Sequence, residues 1–209
     1  MNQECIDYIE SEILPRYASF DKAHQNDHVE RVIQESLRLA QYYEVNPDMV
    51  YVIAAYHDVG LVEGRERHHL VSGCLLQADR KLRNWFSEEE IRVMKEAVED
   101  HRASNKHEPR SIYGKIVSEA DRVIDAETTF RRTVQYGLSH YPEMSPEEHY
   151  LRFRDHLITK YGEDGYLKLW IPQSDNNAER LQEIRRILKD EEQLRNIFVK
   201  LFAAENAVK

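Results

Sequence analysis

An unbroken apolar run from Val50 to Tyr56 is followed directly by His57 and Asp58. The run is preceded by Asn46 and Pro47, a preferred N-cap residue and a preferred first-turn residue, which predict that a helix begins there. A helix that is apolar all round must be buried in the interior of the protein. The run therefore carries an imidazole and a carboxylate into the core, where each is costly unless a partner satisfies it.

Two further polar residues fall on the apolar faces of predicted helices. His28 begins a stretch whose apolar residues recur at helical spacing through Ala40, and Asp121 lies one turn after Val117 in a segment predicted to be helical over residues 111–127. Taken alone, a buried histidine is more often a hydrogen-bonded core residue, and a buried aspartate is more often a salt-bridge partner. Together, two imidazoles and two carboxylates from three segments form a donor set for a divalent ion. The predicted ligands are His28, His57, Asp58 and Asp121.

Three blocks of sequence carry these residues: DKAHQNDHVERV at 21–32, AAYHDVG at 54–60 and SEADR at 118–122. This pattern resembles the HD-domain superfamily of metal-dependent phosphohydrolases, whose signature is a histidine, a His-Asp doublet and a distant aspartate. The resemblance implies an all-α HD-domain bundle and a hydrolase that depends on a divalent metal.

The resemblance also implies a second metal site, in which His69 and His101 would hold another ion and Asp58 would bridge the two. His68 stands beside His69 and competes with it for that role. The alternative is a single ion, with these histidines contacting a phosphate group. The predicted cofactor is therefore one or two ions of Mn, Fe, Ni, Co, Zn or Mg.

The formal net charge of the chain is -9, yet cationic residues lie near the proposed ligands in sequence. Guanidinium groups match phosphate oxygens, so a local group of cations suits a small anionic substrate, although a single loop cation is usually only solvated. Arg65, Arg102 and Arg122 are the predicted substrate contacts. The wider cationic group also contains Arg67, Lys106, Arg110 and Lys115.

Two more residues are predicted to serve the reaction. His24 precedes His28 by four residues and, by the resemblance, lies near the substrate opening. Glu66 lies in a polar loop after the doublet and is the candidate that protonates the leaving group, although an exposed loop glutamate is the default explanation. Asp58 is predicted to be catalytic through the metal-activated hydroxide that attacks phosphorus.

The predicted function is hydrolysis of a phosphate ester or anhydride of a small molecule, and the resemblance favours a nucleotide. A signalling-nucleotide phosphodiesterase is one alternative, although the chain lacks the Gly-Tyr-Pro segment of the cyclic-di-nucleotide members. A non-catalytic sensor of metal or nucleotide is the other. The acidic balance disfavours a long nucleic acid as partner, and a homo-oligomer stays open.

Strand-type alternation is almost absent and capped segments fill the chain, which predicts an all-α fold: an HD-domain helical bundle with additional C-terminal helices. We expect one domain over residues 1–209, with a metal-binding core at about 20–130 and a helical extension at about 140–209. One long helix is predicted from Asp175 through Phe202. Two cysteines, no secretory signal and no stretch of roughly 18 apolar residues predict a soluble, cytoplasmic protein without a membrane partner.

Overall fold

Helices and short helical turns account for the regular structure of the chain. The computed structural model describes residues 1–19, 26–105, 107–122, 124–174 and 176–207, and within these ranges it contains no β-strand, which confirms the all-α class. The α-helices are α1 (Gln3–Tyr8), α2 (Asn26–Ala40), α3 (Pro47–Tyr56), α4 (His68–Ala78), α5 (Glu88–Asp100), α6 (Ile112–Ala120), α7 (Ala126–His140), α8 (Pro146–Tyr161), α9 (Asn177–Lys189) and α10 (Glu191–Asn206). A π-helical turn (Ile9–Ile13) and 3₁₀ turns (Leu14–Ser19, Val59–Glu63, Arg80–Asn84) complete the description.

Local capping chemistry sets where the principal helices begin. The Asn46 side chain accepts a hydrogen bond from the backbone N–H of Asp48 at the start of α3. Ser87 and Glu90 form a reciprocal capping box at the start of α5, and Ser145 forms the same box at the start of α8. Each box satisfies backbone donors that the first helical turn leaves without a partner.

The chain divides into two compact units. The first unit contains Met1–Arg122 and Trp170–Ser174, and its core is built around α3, which packs against α2, α5 and α6. Every residue from Met49 to Tyr56 is buried, because α3 is surrounded on all sides. The segment Trp170–Ser174 is held in this unit by the buried Glu119 carboxylate, which accepts hydrogen bonds from the backbone N–H of Trp170 and the hydroxyl of Ser174.

The second unit contains Val123–Leu169 and Asp175–Lys209, and α7, α8, α9 and α10 enclose its own core. Its largest fully buried side chains include Phe130, Tyr150 and Phe153. The assignment of the whole chain to a single domain stays a prediction.

Two predicted helix boundaries are wrong. The helix predicted over residues 111–127 ends at Ala120, so that Asp121 is its C-cap residue rather than a mid-helix residue. The long C-terminal helix is two helices, because Asp190 ends α9 and then caps α10 by accepting a hydrogen bond from the backbone N–H of Gln193.

Membrane insertion through a helix finds no support in the described ranges, where no helix combines the length and the apolar character needed to cross a bilayer.

Candidate metal centre

The His-Asp doublet sits immediately after α3, at the centre of the first unit. The His57 side chain is fully buried, and its Nδ1 lies 2.7 Å from the backbone oxygen of Ala54. A carbonyl oxygen can only accept a hydrogen bond, so Nδ1 carries the proton and donates it. The lone pair of Nε2 is then directed to the opposite side of the ring, where the other polar residues gather.

Two more histidines also donate a hydrogen bond from Nδ1 to a backbone carbonyl. His68 donates from Nδ1 to the backbone oxygen of Arg65 over 2.8 Å, and His101 donates from Nδ1 to that of Val98 over 2.6 Å. This second contact of an imidazole is the one that fixes tautomer and ring orientation in metal-binding histidines.

One oxygen of Asp58 faces the first pair of imidazoles. Asp58 Oδ2 lies 3.3 Å from His57 Nε2 and 3.7 Å from His28 Nε2, and the two Nε2 atoms are 3.2 Å apart. Asp121 Oδ1 joins this group at 3.3 Å from His28 Nε2 and 3.9 Å from His57 Nε2. The structure thus brings together the four residues predicted as the primary ligand set.

The other oxygen of Asp58 faces a second pair. Asp58 Oδ1 lies 3.2 Å from His68 Nε2 and 3.4 Å from His101 Nε2, and these two Nε2 atoms are 3.2 Å apart. Within the described residues, two overlapping groups meet the spacing of metal ligands: His28, His57 and Asp58, and then Asp58, His68 and His101. Asp58 is common to both.

The donors can share a cation. With Nδ1 of both His68 and His101 donating to backbone carbonyls, their Nε2 atoms face each other across 3.2 Å, and both face Asp58 Oδ1. A proton or a metal ion held between the two nitrogens satisfies both, and the spacing of the three residues is that of metal ligands.

The charges of the centre keep the carboxylates ionised. Burial raises the pKa of the Asp58 carboxyl, but His57 and His101 outweigh burial and hold this pKa well below its ordinary value. Burial likewise raises the pKa of Asp121, yet the hydrogen bond to His28 and the charge of His57 bring it below its ordinary value. Both acids are therefore anionic at neutral pH, as metal ligation requires.

The two imidazoles beside Asp58 differ in their affinity for a proton. Burial lowers the pKa of His57, but the Asp58 carboxylate, together with Asp121 and the Ala54 carbonyl, outweighs burial and raises it to about 9. Burial and the neighbouring His101 lower the pKa of His68 to about 4. His68 is consequently neutral at pH 7, the form in which an imidazole can bind a metal.

Gly60 brings the start of α4 to the doublet. A Cβ atom at this position would lie 2.2 Å from the backbone oxygen of His68 and 2.6 Å from the backbone nitrogen of Ser72. The Gly60 N–H also donates to the Ser72 hydroxyl over 2.8 Å. Only a glycine permits this approach, and the approach places His68 at Asp58.

The structure does not bring His69 into either group. Its side chain is buried, its ring centroid lies 5.5 Å from that of His68, and its Nδ1 has no hydrogen-bond partner. Burial and the charge of His101 lower the pKa of His69 to about 4. Its neighbour His68 occupies the position that the sequence analysis favoured for His69.

The predicted substrate residues have different surroundings. Arg122 is buried and donates to the His101 carbonyl at 3.2 Å and to the Ser118 hydroxyl at 2.7 Å, so its guanidinium supports the backbone of the centre. Arg102 donates to the backbone oxygen of Glu66 and links the loop before α4 to the end of α5. The remaining side chains of that loop, including those of Arg65 and Glu66, are exposed. The predicted His24 and Lys106 lie outside the described residues.

Asp121 is anchored through the end of α6. Arg31, one turn after His28 on α2, donates from Nη1 to the backbone oxygen of Ala120 over 3.1 Å. The Arg31 side chain therefore links the helix that carries His28 to the residue before Asp121. The sequence block at 21–32 contains Arg31, but local sequence gives no sign of this contact, because its partner lies 89 residues later in the chain.

The comparisons with known proteins agree with this arrangement. The HD domain model matches residues 26–125. A similar solved structure is the crystal structure of a predicted HD superfamily hydrolase from an uncultured Thermotogales bacterium, with a TM-score of 0.50 and 18% identity, covering 97% of this chain and 91% of that chain. At this identity the likeness shows the fold alone. None of the curated proteins matches the chain. The family match confirms the resemblance seen in the three sequence blocks, since the matched residues 26–125 contain both groups of the candidate metal centre.

Proposed function

We propose that this protein is a metal-dependent phosphohydrolase with two divalent ions, one of which would be held by His28, His57, Asp58 and Asp121 and the other by Asp58, His68 and His101. The observation that carries the proposal is that the two oxygens of the Asp58 carboxylate face different pairs of histidines. Oδ2 faces His28 and His57, and Oδ1 faces His68 and His101. Paired divalent ions are a recurrent device for displacement at phosphorus. We assign the second-ion position to His68 rather than to His69.

The residues around the centre would divide the remaining tasks. Bound divalent ions would lower the pKa of a coordinated water toward about 7 and so supply the nucleophile at neutral pH. Asp121 and His28 complete the first group of ligands. Arg122 holds the His101 carbonyl and so acts as a positioning residue, while the exposed Glu66 is the proposed donor of a proton to the leaving group.

The proposed substrate is a small phosphorylated molecule, with a nucleotide as the first class to test. The loop before α4 supplies Arg65 and Arg67 as exposed cations, and Arg102 is tied to that loop through the Glu66 carbonyl. Guanidinium groups at the rim of a metal centre suit phosphate oxygens.

The test is hydrolysis of nucleoside mono-, di- and triphosphates and of cyclic nucleotides after the protein is stripped of metal and reloaded with Mn²⁺, Fe²⁺, Co²⁺ or Ni²⁺. Release of phosphate or pyrophosphate that is lost in Asp58→Asn supports the proposal. The matched control is Asp155→Asn, which removes an exposed carboxylate of α8 in the second unit and should leave turnover unchanged.

Three outcomes would contradict the proposal. Turnover that survives in Asp58→Asn would place the reaction elsewhere. Tight nucleotide binding without turnover under every metal would indicate a sensor. Opening of cyclic nucleotides without activity on monoesters or anhydrides would indicate a phosphodiesterase.

A further inference from the structure

A buried tyrosine from the N-terminal segment contacts the backbone of the doublet directly. Tyr17 lies in the 3₁₀ turn Leu14–Ser19 and is fully buried. Its hydroxyl donates to the backbone oxygen of Ala55 over 2.9 Å and accepts from the backbone N–H of Asp58 over 3.2 Å. The same oxygen therefore joins the last turn of α3 to the residue that both metal groups share.

The need for such a partner follows from the way His57 is held. The His57 side chain uses the Ala54 carbonyl, the group to which the Asp58 N–H would donate if α3 continued regularly. Helix ends also leave carbonyl groups without intrahelical partners, and Ala55 lies in this last turn. A hydroxyl can donate and accept at once, so one side chain satisfies both the Asp58 N–H and the Ala55 carbonyl.

We propose that Tyr17 is a positioning residue for the metal centre: its hydroxyl fixes the backbone of Asp58 so that the carboxylate presents one oxygen to each group of imidazoles. The inference rests on the proposed metal-dependent function and extends it to a segment that precedes the HD domain match at residues 26–125. Because the doublet sits where α3 ends, a backbone rotation at Asp58 would move both carboxylate oxygens together.

A purely structural role for Tyr17 makes a different prediction, and the chain provides the control. Tyr56 is also fully buried in the first unit, and its hydroxyl donates to Asp79 over 2.5 Å rather than to the doublet. Removing the Tyr17 hydroxyl leaves buried backbone groups unpaired, and removing the Tyr56 hydroxyl takes away one of the two tyrosine hydrogen bonds to Asp79, so both changes destabilise the fold. Only the loss of the Tyr17 hydroxyl should alter the metal centre.

The experiment compares Tyr17→Phe and Tyr56→Phe with the wild-type chain by Co²⁺ titration, with chelator competition for affinity and visible absorption for ligand geometry. We expect Tyr17→Phe to bind Co²⁺ roughly 10- to 100-fold more weakly and to change the absorption bands, as changes to groups that orient metal ligands generally do. Tyr56→Phe should keep the wild-type affinity and spectrum even where its melting temperature falls.

Equal affinities and spectra in the two variants would overturn the role of Tyr17. A wild-type chain that binds no Co²⁺ would instead refute the proposed function. Should Tyr17→Phe fail to fold, 3-fluorotyrosine introduced site-specifically at position 17 or 56 of the wild-type chain gives a second measurement. Zn²⁺ loading should shift the fluorine resonance at position 17 and not at position 56, and an unshifted signal at position 17 would overturn the proposal.

Discussion

Replacing Gly60 with alanine tests how the second group of ligands is assembled. Gly60 lies between Asp58 and α4. Because glycine has no Cβ, the first residue of α4 can lie close to the doublet. Gly60→Ala adds one methyl group that would meet the His68 backbone oxygen, and it changes no proposed ligand side chain. Any effect on metal binding must therefore come through the position of the His68 backbone.

The size of the effect follows from the contact distances. The new Cβ would lie 2.2 Å from the His68 backbone oxygen, and ordinary contact begins at 3.4 Å, so the two must separate by about 1.2 Å. Metal ligands tolerate deviations of about 0.2 Å. The overpacking itself should lower the free energy of unfolding by about 1–3 kcal/mol. We expect Gly60→Ala to lose the second ion, and a misplacement near 1 Å also costs about 100-fold in rate.

The assay is metal content per chain by elemental analysis after dialysis against Mn²⁺, together with the increase in melting temperature that Mn²⁺ produces. The matched control is Gly73→Ala on the same helix, α4. A Cβ at Gly73 would lie 2.8 Å from Glu99 Cγ, so the strain falls on the side chain of Glu99 and its ion pairs with Lys95 and Arg110 rather than on the backbone of His68. Alanine also favours the helix by about 1 kcal/mol over glycine, so this variant should keep both ions.

Two results would refute the reasoning. If Gly60→Ala bound as much Mn²⁺ as the wild-type chain, the approach of α4 to the doublet would not control the second group. If Gly73→Ala lost as much metal as Gly60→Ala, the effect would reflect α4 in general rather than the position of His68.

Three further substitutions test the ligand assignment and the capping of the second unit. His68→Ala should remove about half of the bound metal while His69→Ala keeps all of it, because only His68 faces Asp58; elemental analysis decides, and full metal in His68→Ala would contradict the assignment. Asp125 caps α7 by accepting the Thr128 N–H at 2.8 Å, and hydrogen bonds from the Thr128 side chain and backbone lower the pKa of its carboxyl below the ordinary 3.8. The stabilisation is therefore fully present above the unfolded pKa of 3.8 and is lost as the pH falls through the lowered pKa of the folded state. Asp125→Ala should destabilise the protein by about 1 kcal/mol at neutral pH and by less in acid, as urea unfolding at both pH values can measure, and an equal loss at both would contradict this origin.

Helix beginnings were predictable because their causes lie within three or four residues of each other. The start of α3 is predicted by Asn46 with Pro47, and the start of α5 by Ser87 with Glu90, because these residues cap the helix through contacts within its first turn. The boundary at Asp190 carries a similar signal, since Gln193 stands three residues later. The continuous apolar stripe from Leu181 to Phe202 concealed it, because the stripe is also what one long helix would show.

The end of α6 could not be predicted from its pattern. Apolar residues continue at helical spacing as far as Ile124, yet α6 ends at Ala120, where the chain leaves the first unit. The same holds for Trp170–Ser174, whose place in the first unit depends on the buried Glu119 some fifty residues earlier in the chain. Contacts of this kind override local propensity.

Tertiary structure also determines whether His68 or His69 faces Asp58. Consecutive residues of a helix point about 100° apart, so only one of the two can face Asp58. Local sequence does not say which one, because the answer depends on how α4 is rotated against the 3₁₀ turn that contains Gly60. Tyr17 gave no signal either, since its partners are backbone atoms about forty residues later in the chain.

The preparation of each donor atom is nevertheless local. His57, His68 and His101 all donate from Nδ1 to the carbonyl three residues earlier, and each stands at an end of its helix. For His57 and His101 this carbonyl is one that a continuing helix would have used, whereas for His68 it lies in the loop before α4. The position of each histidine at a helix end therefore determines its tautomer. Tertiary packing determines only whether the Nε2 atoms lie close to one another. This is why histidines at helix ends can be predicted as metal ligands before the fold is known. Gly60 and Tyr17 act on how the Nε2 atoms come together, so their roles can be seen only in the structure.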